Sequence, residues 1–152
     1  MKVAVGADNR GFELKEHLKQ YLSSQGVEVI DFGAHSAEPC DYPDFGRPVA
    51  EAVASGRVDR GLTICWTGNG MNIVANKVHG IRAALALNSE MAQLARAHNN
   101  ANVLSLAAKY TTEADARTIV DLFLKTPFEG GRHERRVGKI SSIENSDQPV
   151  RP

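Results

Sequence analysis

Short runs of valine, isoleucine and leucine alternate along this chain with longer amphipathic segments, and that alternation limits its folding more than any other feature of the sequence. Strands buried on both faces read as near-continuous apolar runs, and parallel neighbours need a helical crossover. The pattern therefore predicts an α/β fold with helices covering both faces of a parallel sheet. Five strands are expected, from Lys2 to Gly6, Val27 to Asp31, Gly61 to Cys65, Ile81 to Leu85 and Asn102 to Leu106. Helices are expected from Phe12 to Ser24, Asp44 to Ser55, Gly70 to Val78 and Glu90 to His98. Two more follow, from Thr112 to Leu124, where Asp115 suits a capping box, and from about Arg132 to Glu144.

With 152 residues the chain suits a single domain over residues 1–145, followed by a frayed tail over 146–152. The breaker from Thr126 to Gly131 is too short to separate two domains. Eighteen basic residues balance eighteen acidic ones, which argues against broad binding to nucleic acid or to an anionic membrane. A local basic cluster facing a small anion remains compatible with that balance. No apolar run is long enough to span a bilayer, and the amino terminus turns polar before a signal-peptide core is complete, so a cytoplasmic location is expected. Cys40 and Cys65 form no CxxC pair and read as reduced thiols.

Ligands of open parallel sheets bind beyond the carboxyl ends of the strands, so the residues that follow each strand are the first place to look for chemistry. There the sequence has Asp8-Asn9-Arg10-Gly11 and Cys65-Trp66-Thr67-Gly68-Asn69-Gly70, with His98-Asn99 just ahead of the fifth strand. If the topology holds, these groups gather on one edge. Gly68 and Gly70 let backbone amides approach a ligand at the start of a helix, where developing negative charge is stabilised and a thiolate is favoured over a thiol. Cys65 is thus a candidate base for a carbon-bound proton, against the plainer reading of a small apolar residue ending a buried strand. His98 reads either as a proton carrier near neutral pH or as a helix-terminal histidine answering the last carbonyls. Asp8 could share in proton handling or simply cap the following helix. Arg132 and Arg136, four apart, would share a helix face and suit a phosphate, or else form an exposed face paired with Glu129 or Glu134.

Rival glycine loops fail on spacing. A dinucleotide fingerprint wants glycine or alanine where Ile73 stands, and the GK followed by Ser or Thr of a P-loop is absent.

Taken together, the chain resembles the ribose-5-phosphate isomerase B and galactose-6-phosphate isomerase family along nearly its whole length. The resemblance is carried by Gly6-Ala7-Asp8, Asp41-Tyr42-Pro43-Asp44, the CxTGxG loop from Cys65 to Gly70, Asn76-Lys77, Gly80-Ile81-Arg82-Ala83, His98-Asn99, Asn102-Val103-Leu104 and Glu129-Gly130-Gly131-Arg132-His133. It implies a three-layer, doubly wound, Rossmann-like sandwich that forms homodimers or dimers of dimers. Each active site would be completed by the partner subunit, with the Arg-rich helix near 132–145 reaching across, and with no metal or other cofactor. The activity implied is aldose-ketose isomerisation of a phosphorylated sugar, foremost D-ribose 5-phosphate to D-ribulose 5-phosphate. On this resemblance His98, assisted by Asp8, opens the sugar ring and Cys65 moves a proton between C2 and C1. Thr67 relays protons to the oxygens, and the amides of Trp66, Thr67, Gly68, Asn69 and Gly70 hold the oxyanion. Asn99 would touch the sugar, Lys109, Arg132 and Arg136 the phosphate, and Tyr42 would line the pocket.

Three positions depart from the family pattern, which has histidine at Asn9, glycine at Trp66 and arginine at Lys109. Asn9 cannot titrate, Trp66 adds an indole beside the base, and Lys109 keeps charge without the guanidinium fork. The alternatives are an isomerase of allose 6-phosphate, galactose 6-phosphate or a tetrose phosphate, a phosphosugar-binding subunit that needs a paralogous partner, and a nucleotide-binding α/β protein.

Overall fold

A computed structural model describes residues 1–145; the tail expected to fray, 146–152, lies outside the described residues. The order along the chain is β1 (Lys2–Ala7), α1 (Phe12–Ser24), β2 (Glu28–Asp31), α2 (Pro43–Ala54), β3 (Arg60–Cys65) and α3 (Asn69–Ala75). Then come β4 (Ala83–Leu85), α4 (Ser89–Asn99), β5 (Val103–Ala107), α5 (Glu113–Lys125) and α6 (Arg132–Glu144). The strands lie in the order β2-β1-β3-β5-β4, every neighbouring pair parallel.

Side chains of a strand alternate between faces, and here the two faces bury different partners. Val3, Val5, Leu62, Ile64, Leu104 and Leu106 pack with α1, α4 and α5 through Leu14, Leu18, Ala92, Ile119 and Phe123. Ala4 and Val103 face α2 and α3 through Val49, Val53 and Ala75. The second face is built close. A Cβ on Gly6 would come 2.7 Å from the Phe45 carbonyl, and one on Gly61 2.9 Å from Val49, so α2 lies almost on the strand backbone. The result is the expected three-layer, doubly wound α/β sandwich.

Two elements are shorter than the sequence predicts. Helix α3 stops at Ala75 rather than Val78, and β4 begins at Ala83 rather than Ile81. Asn76 is the reason: its side-chain amide donates to the Ala83 carbonyl at 2.9 Å and accepts from the Ala83 N–H at 2.9 Å. Between them the chain turns at Gly80 (φ +81°), with the Ile81 N–H on the Val78 carbonyl, which takes Ile81 and Arg82 out of the ladder. The capping box at α5 forms: Thr112 Oγ1 accepts from the Asp115 N–H at 3.1 Å and donates to Asp115 Oδ2 at 2.8 Å.

Candidate active site

The crossover from β1 runs to β2 on one side while β3 lies on the other, so a crevice opens between the carboxyl ends of β1 and β3. Asp8 and Cys65 flank it. The Asp8 N–H donates to the Ile64 carbonyl at 3.1 Å, which fixes Asp8 beside the strand that ends in Cys65. Asp8 Oδ1 accepts from the Gly11 N–H at 2.7 Å, so the carboxylate also holds the turn into α1. Gly11 has no room for a side chain, since a Cβ would meet the Ile64 carbonyl oxygen at 2.6 Å. Asn9 is half-buried in the same turn.

Cys65 is 5% exposed and its carbonyl accepts from the Ala108 N–H at 2.9 Å, so the thiol stands on a strand end paired on both sides. The chain then turns through Gly68 at φ +78°, in the left-handed region, where a Cβ would also collide with Leu85 Cδ1 at 2.3 Å. Gly68 is the N-cap of α3, and no side chain caps that helix start. A Cβ on Gly70 would touch the Tyr42 ring at 2.9 Å, so Tyr42 roofs the glycine turn. Thr67 is half-buried and Asn69 exposed. Trp66 is 39% exposed, with the Arg10 guanidinium 5.2 Å and the Lys109 ammonium 5.8 Å from its ring centre. Lys109 is anchored by its own N–H on the Trp66 carbonyl at 2.9 Å. The indole thus gathers two cations at the rim of the crevice. Nothing in the sequence marks Arg10, because an isolated arginine in a turn carries no spacing signal.

His98 and Asn99 do not join this group, which corrects the expectation of one shared edge; Arg132 and Arg136, expected on a helix that reaches a partner subunit, also lie apart from it. Helix α4 runs back from the carboxyl edge, so its last turn lies where β3 and β5 begin, beside the Gly61–Val103 pair. Cys65 pairs with Ala107 four residues further on, about 13 Å along the strands at ~3.3 Å per residue. The physical reason is the crossover itself: a helix between parallel strands ends at the opposite edge from where it starts.

A second cluster forms at that opposite edge. The buried Arg96 joins the end of α4 to the connector before α6, bonding Asn100 Oδ1 at 2.9 Å and the Thr126 carbonyl at 3.3 Å, and burial drives its guanidinium down to about 10. The Glu129 N–H bonds the Ala97 carbonyl at 3.0 Å, and the chain turns through Gly130 and Gly131 into α6. The His98 and His133 rings stack with centres 4.2 Å apart and planes 8° apart. Glu129 Oε2 lies 3.8 Å from His98 Nε2 and 3.7 Å from His133 Nε2. Burial, then the charges of His98 and Arg132, hold His133 below the usual imidazole range against the pull of Glu129. Arg132 and Arg136 are exposed and Arg132 Nε reaches only His133 Nε2, at 3.4 Å; among the described residues neither arginine has an ion pair. Asn99 is exposed beside them. His133 is the residue the sequence hid, because only the packing of α6 on α4 brings it to His98. At its far end α6 is tied by Glu144, whose carboxylate accepts from the Gly80 N–H at 3.0 and 3.1 Å.

A cavity of about 420 Å³ between α2 and α3, lined by Pro43, Arg47, Glu51, Val74, Lys77 and Val78, contains none of the candidate residues. Among the described residues no helix is long and apolar enough to cross a membrane.

Residues 3–140 match the model of a protein family described as Ribose/Galactose Isomerase. The chain is 47% identical over 143 residues to Escherichia coli ribose-5-phosphate isomerase B, covering 94% of this chain and 96% of that one. Its fold superposes on the Clostridium thermocellum ribose-5-phosphate isomerase B with a TM-score of 0.94 at 53% identity, over 95% and 98% of the two chains. The Mycoplasma genitalium enzyme, solved with bound ribulose 5-phosphate, matches with a TM-score of 0.91 at 41% identity, over 95% and 97%. Agreement in sequence and in fold runs over nearly the full length of every one of these chains, and this protein belongs to the Ribose/Galactose Isomerase family.

Proposed function

We propose that the protein interconverts D-ribose 5-phosphate and D-ribulose 5-phosphate through a cis-enediolate, in a pocket shared by two copies of the chain. The observation that carries the reaction is the Cys65 thiol beside Asp8 in the switch crevice, followed at once by the glycine turn roofed by Tyr42. Relatives named ribose-5-phosphate isomerase B support the choice of sugar. Geometry supports the sharing: Cys65 and His98 stand at opposite edges of one sheet, and a small sugar meets both when His98 comes from a second copy. The two-fold pairing of like chains supplies two such sites at once.

In the cyclic aldose, His98 of the second copy gives a proton to the ring oxygen as the bond from C1 to that oxygen breaks, and Asp8 assists departure of the proton from O1. The aldehyde results. The Cys65 thiolate then takes the proton from C2, the electron pair moves into a C1–C2 double bond, and the charge placed on O1 is held by the amides from Trp66 to Gly70. Cys65 returns its proton to C1 while O2 loses a proton and O1 gains one through the Thr67 hydroxyl, which leaves the ketose. Lys109 from one copy, with Arg132 and Arg136 from the other, takes the phosphate; Asn99 bonds a sugar hydroxyl; Asn9 offers an amide in place of an imidazole. Phosphorylated sugars are charged and stay inside the cell, so the enzyme works in the cytoplasm.

The test is turnover of purified protein on D-ribose 5-phosphate without added metal or nucleotide, beside D-allose 6-phosphate, D-galactose 6-phosphate and D-erythrose 4-phosphate. The highest kcat/KM is expected on the pentose. A preference for a hexose or tetrose phosphate reassigns the substrate, and no turnover on any of the four overturns the reading.

A further inference from the structure

The cluster of His98, Glu129 and His133 has a second chemical capacity, separate from the transfer of one proton. Two imidazole nitrogens and one carboxylate oxygen from three different elements lie within 4.8 Å of one another. We propose that these three residues form a binding site for a divalent transition ion, Zn²⁺ above all, and that its occupation switches the isomerase off. Binding needs only the three side chains. The inhibition rests in addition on the role proposed for His98.

Nitrogen and carboxylate donors suit zinc, and three protein ligands with one open position make a common tetrahedral shell. At bond lengths of about 2.1 Å such a shell has edges of roughly 3.4 Å. Two of the edges here, 3.7 and 3.8 Å, already approach that value. The imidazole–imidazole edge must shorten, and the stacked rings must fan so that both lone pairs converge. The proposed site asks that the two side chains rotate on their present backbone. The backbone frame is fixed by the bond from Glu129 to Ala97 and by the packing of His133, whose side chain is 8% exposed. Glu129 at 58% and His98 at 35% open the cluster to solution, which gives an ion its way in.

Arg132 sets the strength. Its Nε, 3.4 Å from His133 Nε2, occupies the lone pair that the ion needs, and its charge repels a cation. Because Arg132 is exposed it can turn into solvent, so the ion displaces it at some cost and binds less tightly than a structural zinc. That is the affinity of a reversible inhibitor. The ion removes the lone pair of His98 Nε2, after which no proton can be carried to the ring oxygen, and it turns Arg132 away from its place beside His133.

Cobalt(II) is the probe, since it shares zinc's ligand preferences and absorbs visible light when four- or five-coordinate. Wild-type protein and Cys65→Ala are expected to give the same visible band with no thiolate-to-cobalt charge transfer in the near ultraviolet. Glu129→Gln and His133→Asn should weaken cobalt binding by about 100-fold or more, as loss of an outer-shell partner alone costs about 10–100-fold. Glu129 is exposed, so its variant keeps the fold even if the buried His133 variant does not. Zinc at about ten times its Kd should slow turnover of ribose 5-phosphate by about tenfold, reversibly by chelator, with the effect lost in Glu129→Gln. A band that survives both substitutions, or one that vanishes in Cys65→Ala, overturns the site. Active enzyme indifferent to zinc overturns the switch. Cobalt bound as expected by a protein with no isomerase activity would instead remove the proposed reaction and leave the site standing.

Discussion

The two halves of the candidate site are built differently. At the carboxyl edge, Cys65 stands on a strand paired on both sides, Gly11 is packed against Ile64, and Gly68 sits against Leu85 with no space for a methyl group. At the amino edge, His98 and Asn99 project from the end of α4 and Arg132 and Arg136 from the start of α6, which a two-glycine turn precedes, and all but His98 are exposed. A base that must reach one carbon-bound proton belongs on the stiffer frame, because a misplacement of about 1 Å can cost roughly 100-fold in rate. Cations that hold a phosphate tolerate more movement, since charge attracts over a longer range than a proton can jump. Each half also has a share of the other's chemistry: Lys109 adds a phosphate cation at the carboxyl edge, and His98 a proton carrier at the amino edge.

The largest expected effect tests that division directly. Cys65→Ala and His98→Ala should each lose activity by about 10²–10⁴-fold, the usual contribution of a positioned proton carrier. Mixing the two inactive proteins under conditions that exchange subunits should then restore about a quarter of wild-type activity: half of randomly paired dimers are mixed, and each mixed dimer has one intact site out of two. Measurement of turnover before and after exchange decides the matter. Mixtures that stay inactive after proven exchange would mean that one chain supplies both residues, and the shared pocket would fall.

The stiff half was largely legible in the sequence, and the adaptable half was legible only as residues. Strand ends announce themselves through apolar runs, and Gly68 and Gly70 soon after Cys65 mark a tight turn into a helix, in which Gly68 takes φ +78°. Hence Asp8, Cys65 and the glycine turn lie together as the pattern indicates. The sequence identifies His98 by type but points to the wrong edge, because proximity to a strand in sequence does not say which end of that strand a helix reaches. The stacking of His133 on His98 depends on how α6 folds back over α4, and nothing local encodes it. Helix α3 ended early for a similar reason, since Asn76 stops it by bonding Ala83 across a turn rather than through any breaker.

An intermediate effect separates the phosphate grips of the two edges. Arg132→Ala should raise KM for ribose 5-phosphate by about 10–100-fold with kcat changed far less, because a hydrogen bond to a charged group contributes about 1.5–3 kcal/mol. Lys109→Ala should do the same from the opposite edge, though less, as an ammonium lacks the bidentate fork. Steady-state kinetics of both variants checks this. An Arg132→Ala enzyme that loses kcat with KM unchanged would assign the arginine to the chemistry and blur the contrast between the halves.

The smallest effect concerns what braces the stiff half. Lys15, fully buried on α1, donates to Asp31 at the end of β2 at 2.7 and 2.8 Å, and Lys19 adds a further contact to the same carboxylate and to Glu16. Burial alone would raise the Asp31 carboxyl, but hydrogen bonds from Lys15, Lys19 and the Gly33 N–H outweigh it and hold the group below its usual range. Glu16 is likewise lowered by its lysine partners against burial. A carboxyl lowered in the folded state stabilises fully above its unfolded value, near 3.9 for aspartate, and that stability disappears as pH falls through the folded value. Lys19 is raised by its bonds to Asp31 and Glu16, so its share is lost only as pH climbs past the usual lysine range near 10.4. Between those limits the cluster should contribute a flat term, and Tm should start to fall only below about pH 5. Asp31→Asn should lower Tm at neutral pH and reduce the acid slope. An unchanged slope in that variant would show that acid acts elsewhere, and that the carboxyl edge owes its stiffness to packing alone.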